Sequence, residues 1–265
     1  MAFVNGILKA PEVQQVPTAS HGGPITPHFI VWHYTACSAA SARAAFLSPR
    51  LKVSAHFMVL EDGQIEQFVS CDHAAWHAGK SSWDGRIGMN NFSIGIELVN
   101  PGPLQGEPPR SLYGTRHEGE VVTLAKPGGG SQMWAAYPEA QLLAADWLAE
   151  QICGAYSIEA MLRHSDVAPN RKIDPGPAFP MQRYAVLLES REGDSTTDLD
   201  EILPHTNIRT TPGGKILITT KDARMPCTFC DFAGDWARVK LSFPDKDDGS
   251  KIKDYFVYVH RSRLV

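Results

Sequence analysis

Apolar and polar residues along this chain alternate with two periods, and the switches between them mark out its elements. Phe29-Ile30-Val31-Trp32-His33-Tyr34, introduced by Pro27, is a continuous apolar run that predicts a buried strand. The small-residue stretch after it predicts a helix over 39–47. Val53 to Leu60 predicts another strand, Asp62-Gly63 a hairpin turn, and Ile65 to Val69 the strand that pairs back. Phe92 to Val99 alternates with period two. Phe92, Ile94, Ile96 and Leu98 fill one face, and Ser93, Gly95 and Glu97 the other. Gly95 is expected to leave open space beside Glu97. From Pro138 the period becomes helical, with Leu143, Ala144, Trp147, Leu148, Gln151 and Ile152 as the expected inner stripe and Gly154 as a stop. A last helix is expected over 180–189. Strands interleaved with helices predict an α/β domain with a central mixed β-sheet flanked by helices.

Two stretches break these patterns. Residues 100–132 are rich in Gly, Pro and charge, and read as a long excursion bordering a site. Residues 189–201 are polar and acidic, which predicts a linker over 191–204. Beyond it only short strands are expected: 207–209, then the turn Pro212-Gly213-Gly214, 215–220, 236–241 and 255–260. That spacing predicts a small β-barrel. The domain reading is therefore 1–190 for a catalytic domain, 191–204 for a linker and 205–265 for a small all-β module.

Composition narrows the function classes. The 265 residues allow one catalytic domain plus a small module. A formal net charge of -4 gives no electrostatic case for nucleic acid. No run reaches membrane-spanning length. Oligomeric state is not legible. The five cysteines are odd in number and scattered, which points to a reducing compartment rather than a disulfide framework. Cys227-Thr228-Phe229-Cys230 lacks the second ligand pair that a zinc knuckle needs. The first eleven residues do not read as a secretory leader. Localisation stays open between the cytoplasm and the cell wall reached by another route.

The candidate chemistry gathers in one proline-bounded segment, His164 to Gly176. Pro169 and Pro175 keep it from being a continuous helix, and Pro175 pushes Asp174 toward an extended conformation. Lys172 and Asp174, two apart, then face one side, with His164 at the start of the loop. Two histidines and a carboxylate, His33, His164 and Asp174, would leave a zinc ion net positive charge and an open position. Glu97 would serve as general base, and Lys172 as the cation beside an oxyanion. Taken singly, a core histidine, a strand-edge glutamate, an exposed lysine and a solvated loop account for the same residues.

Together these segments resemble a family. Val31-Trp32-His33-Tyr34-Thr35-Ala36, Val53-Ser54-Ala55-His56-Phe57, Ala75-Trp76-His77-Ala78-Gly79, Asn91-Phe92-Ser93-Ile94-Gly95-Ile96-Glu97 and Arg171-Lys172-Ile173-Asp174-Pro175-Gly176 resemble the zinc-dependent N-acetylmuramoyl-L-alanine amidases. The branch is AmpD-like, in the superfamily shared with peptidoglycan recognition proteins, and the likeness runs over about residues 28 to 185. It implies Zn2+ bound by His33, His164 and Asp174, with Glu97 as base and Lys172 as oxyanion stabiliser. It implies cleavage of the amide between the lactyl group of N-acetylmuramic acid and L-alanine, in peptidoglycan or muropeptides. His77, Trp76, Tyr34 and Lys52 become candidate substrate contacts, and His56 a supporting residue. Ala55 stands where phage-lysozyme-type relatives carry a tyrosine. Gly88 stands where some anhydro-sugar-specific members carry an arginine. Asn207-Ile208-Arg209-Thr210-Thr211-Pro212-Gly213 is similar to the opening of bacterial SH3-like wall modules. The competing readings are a peptidoglycan-binding recognition protein without activity and a zinc hydrolase of another amide.

Overall fold

The apolar run at Phe29 becomes a central strand of a six-stranded mixed sheet. The computed structural model describes residues 2–125 and 130–184, and beyond them six strands between 200 and 260. In chain order the sheet strands are β1 (Val13–Gln15), β2 (Phe29–Tyr34), β3 (Phe57–Val59), β4 (Ile65–Gln67), β5 (Ser93–Leu98) and β6 (Ala160–Arg163). Across the sheet they run β6-β2-β5-β3-β4-β1. The ladders from β6 through β3 are parallel, β3 and β4 form the antiparallel hairpin, and β1 adds in parallel at the edge. β1 had no signal in the sequence, being only three residues long.

Helices cover this sheet as the interleaving predicts. Helix α1 (Ala39–Leu47) starts at the Ser38 cap and buries Ala42 and Phe46 against Met58, Phe68 and Val99. Arg43, one turn along, forms a bidentate pair with Glu66 of β4, whose side chain is 2% exposed. Helix α2 (Glu139–Ala155) buries Gln141, Leu142, Ala145, Leu148, Ala149 and Ile152. Leu143, Ala144, Trp147 and Gln151 are only half-buried, so the inner stripe is rotated from the expected one and shares only Leu148 and Ile152 with it. Apolar residues nearly encircle this helix, and the choice of face falls to Gln141. Its amide donates to the Val59 and Val99 carbonyls (2.9 and 3.0 Å). The expected helix over 180–189 lies mostly outside the described residues.

The expected strand from Val53 to Leu60 is regular only over Phe57–Val59. His56 diverts it: its Nδ1 accepts the Gly95 N–H and its Nε2 donates to the His73 carbonyl, both at 2.9 Å. The excursion expected over 100–132 carries regular structure. Among the described residues, Pro103–Gln105, Arg110–Ser111, Val121–Ala125 and Ser131–Ala135 form an antiparallel sheet. Glycine and proline at its turns hid these short ladders from a composition-based reading.

The chain divides into two compact units, Met1–Pro180 and Met181–Val265, earlier than the boundary expected at 190. In the second, the described strands pair antiparallel in the order Asp200–Ile202, Met225–Ala233, Trp236–Pro244, Ile252–His260, Asn207–Arg209, Ile216–Thr219. Ile202, Ile208, Cys227, Val239, Leu241, Val257 and Val259 form its core. Asp200–Ile202 lies inside the stretch expected as linker, and Met225–Ala233, which carries the cysteine pair, was not expected as a strand. The turn at 212–214 lies outside the described residues.

Two outcomes follow from this packing. Arg43→Met strands the buried Glu66 carboxylate and should lower unfolding free energy by about 3 kcal/mol in denaturant titration, the low end for a broken buried pair because Arg43 is itself one-third exposed. A loss under about 1 kcal/mol would place the pair with ordinary surface bridges. Burial lowers the His56 pKa to about 4, against 6.5 when unfolded. The unfolded chain therefore binds more protons between these values, and stability falls as pH drops through that window. The slope is up to about 1.4 kcal/mol per pH unit from this group. His56→Gln should flatten that slope, and an unchanged slope would rule His56 out as its source.

Candidate metal centre and catalytic cleft

Parallel register sets the first contact. β5 pairs with β2 so that Glu97 lies opposite His33, which puts both on one face near the carboxyl ends of their strands. On the other side of β2, β6 pairs through Arg163 opposite Trp32, and His164 follows at once. His164 opens a single helical turn, α3 (His164–Val167), in which Asp166 accepts the Arg163 N–H at 2.8 Å. The proline segment then folds back. The Arg171 and Lys172 N–H groups donate to the Ala168 carbonyl (3.2 and 3.1 Å), and the Ser165 N–H donates to the Asp174 carbonyl (3.1 Å). The Tyr137 hydroxyl donates to the Pro175 carbonyl at 2.7 Å.

Three side chains meet as a result. His33 Nδ1 lies 2.8 Å from His164 Nδ1 and 3.1 Å from Asp174 Oδ2, and His164 Nδ1 lies 2.9 Å from the same oxygen. All three residues are buried, and their ligand atoms lie within 4.8 Å of one another. His164 Nε2 faces the Ala78 carbonyl at 3.2 Å, an acceptor only, so it carries the ring proton and leaves Nδ1 bare. Burial alone would raise the Asp174 carboxyl. The His164 and His33 rings beside it outweigh that and hold it well below the usual carboxylate range. Burial lowers His33 to about 4 against the pull of Asp174, so its ring is neutral at pH 7. Two imidazole nitrogens and one carboxylate oxygen form a donor set that suits a divalent transition-metal ion. Among the described residues this is the one such cluster.

The three atoms open onto a cleft of about 360 Å³, also lined by Tyr34, His77, Glu97 and Lys172. Glu97 Oε2 is buried without a hydrogen-bond partner in that cleft. Burial pushes its pKa up to about 8, Asp174 adds to the rise, and Lys172 opposes it. A further positive charge at the triad would act in the same direction as Lys172 and favour the carboxylate. Tyr34 is held by close packing on Gly102, and burial raises its phenol.

The remaining expected contacts divide. Trp76 and Lys52 are not among the cleft-lining residues. Trp76 alternates away from His77 and brings its indole close to Gly22. Lys52 sits exposed in a left-handed turn. His77 lines the cleft, but its ring lies behind His33, with Nδ1 2.9 Å from His33 Nε2. Gly95 does not leave open space: a Cβ there would come within 2.3 Å of the His77 ring, which fills the gap. Leu112 and Tyr113, at the tip of the sheet inserted after Asn100, and Ile173 also line the cleft while 58%, 79% and 56% exposed. Sequence reasoning missed them. The turn residues Ser111 and Gly114 flanking an apolar pair were the available signal.

Comparison with known proteins agrees with this geometry. The family model described as N-acetylmuramoyl-L-alanine amidase (Amidase_2) matches residues 23–177. The 1,6-anhydro-N-acetylmuramyl-L-alanine amidase AmpD of Escherichia coli K12 is 38% identical over 138 residues, covering 52% of this chain and 60% of that protein. The N-acetylmuramoyl-L-alanine amidase AmiD of the same organism is 34% identical over 165 residues, covering 59% of this chain and 51% of that protein. The chain thus spans only 51–60% of the length of these relatives. The crystal structure of a selenomethionine AmpD derivative aligns with a TM-score of 0.51 at 29% identity, over 71% of this chain and 99% of that one. With the family model covering more than half of the chain, and a central mixed sheet like that of AmpD, this protein belongs to the N-acetylmuramoyl-L-alanine amidase family.

Proposed function

We propose that this protein is a zinc-dependent amidase that cleaves the bond between N-acetylmuramic acid and L-alanine in peptidoglycan or muropeptides. One observation carries the reading: His33, His164 and Asp174 converge on one point of a cleft that Glu97 also lines, with its Oε2 buried and without a hydrogen-bond partner. The names of the relatives AmpD and AmiD support the substrate class.

Bound by His33, His164 and Asp174, zinc supplies Lewis acidity toward the amide carbonyl and toward water. Glu97 takes the proton from the attacking water and returns it to the leaving nitrogen of L-alanine. The C–N bond breaks and a lactyl carboxylate remains. The Lys172 ammonium stands in the same cleft and offsets the negative charge that builds on the carbonyl oxygen. His33, His164 and Asp174 are held by backbone bonds before substrate arrives, so no reorganisation is needed at the moment of reaction. Leu112, Tyr113 and Ile173 offer apolar surface to the sugar ring and the methyl groups beside the scissile bond. The second unit is read as an SH3-like module. Its antiparallel strands and the segment beginning Asn207-Ile208-Arg209 support that reading.

Release of stem peptide from a muropeptide should stop when a chelator removes the metal and return when zinc is restored. Equal turnover in both states would sink the zinc mechanism. Glu97→Gln should lower kcat by about 10²–10⁴ while zinc content, read by atomic absorption, stays at one per chain. Retained turnover would exclude it as the base. Tyr113→Ala should raise KM for sugar-bearing substrates by about 10-fold, the loss of about 1–1.5 kcal/mol of aromatic contact, with kcat little changed. An unchanged KM would remove Tyr113 from the binding surface.

A further inference from the structure

We infer that His77 and Ser93 are positioning residues: the hydrogen-bonded chain Met89–Ser93–His77–His33 fixes the tautomer of His33, so that its Nδ1 faces the metal centre without a proton. The inference rests on the proposed metal reading and assigns two residues a part in it.

The direction of each bond follows from the end of the chain. The Met89 carbonyl can only accept, and Ser93 Oγ lies 2.6 Å from it, so the single hydroxyl proton is committed there. Ser93 Oγ also lies 3.3 Å from His77 Nε2 and must accept in that contact. His77 therefore carries its proton on Nε2, and its Nδ1 is an acceptor. That Nδ1 lies 2.9 Å from His33 Nε2, which must donate. His33 is left with a bare Nδ1, turned to Asp174 Oδ2 and His164 Nδ1. Ligating histidines commonly donate their second N–H to a fixed acceptor, which sets ring orientation and ligand basicity. Here that acceptor is another imidazole, which could donate instead of accept. Ser93 removes the ambiguity, by its hydroxyl and by its backbone, which also bonds the His77 ring.

The surroundings hold this chain in place. Asn90 Oδ1 accepts the N–H groups of His77 (3.1 Å) and Ala78 (2.7 Å). The absent side chain of Gly95 is the space that the His77 ring occupies. The next residue, Ala78, offers its carbonyl to His164 Nε2 at 3.2 Å and receives Arg171 at 2.7 Å. Two consecutive residues thus set both ligating imidazoles, His77 by its ring and Ala78 by its backbone. Without the Ser93 hydroxyl only the backbone bond at Ser93 would restrain the His77 proton, and each ring that turned it to Nδ1 would send the His33 proton into the centre.

Zinc affinity and histidine tautomers test this separately from turnover. In competition with a chromophoric chelator, His77→Leu should bind zinc about 10–100-fold more weakly than wild type. Ser93→Ala, which touches no ligand, should fall at the low end of that range. His77→Asn keeps an acceptor near the Nδ1 position and should restore most of the affinity. Nitrogen-15 NMR of the metal-free wild type should find the His33 proton on Nε2, with Ser93→Ala shifting it toward Nδ1. His77→Leu binding zinc as tightly as wild type, or a His33 proton on Nδ1 in the wild type, would overturn the inference. Should His77→Leu not fold, the Ser93→Ala affinity and the tautomer spectrum decide. If wild type takes up no zinc, the metal reading fails, and the tautomer spectrum alone judges the hydrogen-bonded chain.

Discussion

Electron-rich atoms crowded into a dry corner are the constraint on which this structure turns. Two imidazole nitrogens and a carboxylate oxygen sit 2.8 to 3.1 Å apart, all in buried residues. Buried polar atoms without complementary charge are costly, and the low dielectric that raises the cost would equally strengthen a cation placed among them. The chain must therefore hold the three residues against their own repulsion. Parallel register does this for His33 and Glu97, and the direct passage from β6 into α3 does it for His164.

Asp174 needs the most support, because it comes from an irregular segment. An aromatic series provides it. Trp32, beside His33, packs on Phe179 with ring centroids 5.3 Å apart, and Phe179 packs edge-on against Tyr137 at the same spacing. Tyr137 in turn donates to the carbonyl of Pro175, next to Asp174. Phe179 and Tyr137 are largely buried, so the contacts combine apolar burial with one directed bond. Packing of the core thereby fixes the distance between two candidate ligands that are 141 residues apart in sequence.

The sequence carried the sheet and the triad further than it carried their surroundings. β2, β5, α1 and the β3–β4 hairpin were legible because a continuous apolar run, a period-two alternation, a small-residue stretch and Asp62-Gly63 are all local signals. Lys172 and Asp174 were expected on one side; both line the cleft, and so does Ile173 between them. The face of α2 was not legible, since burial was decided by Gln141 reaching two strand carbonyls rather than by its apolar stripe. The role of Gly95 was misread for a similar reason. A missing side chain signals close approach, but not what approaches, and the His77 ring lies 18 positions away in sequence. The four-stranded insertion escaped because its short ladders lie between glycine- and proline-rich turns.

Two positions at which the sequence departs from the family it resembles have a structural counterpart. Ala55, where phage-type relatives carry a tyrosine, is fully buried with Ala42, Phe46 and Met58, so that position presents no acid–base group to the cleft. Glu97 is then the carboxyl available for proton transfer on the proposed reading. Gly88 sits at φ +78°, in a left-handed conformation that side chains rarely adopt, so an arginine there would be strained. Leu112 and Tyr113 belong to the cleft lining, at the tip of the inserted sheet. There Ser111 Oγ accepts the N–H groups of Tyr113 and Thr115, and its own N–H donates to the Thr115 carbonyl at 2.8 Å. A tip already closed by these bonds offers Leu112 and Tyr113 to a ligand with little ordering left to do. Preorganisation of that kind lowers the ordering cost of binding at an exposed apolar surface.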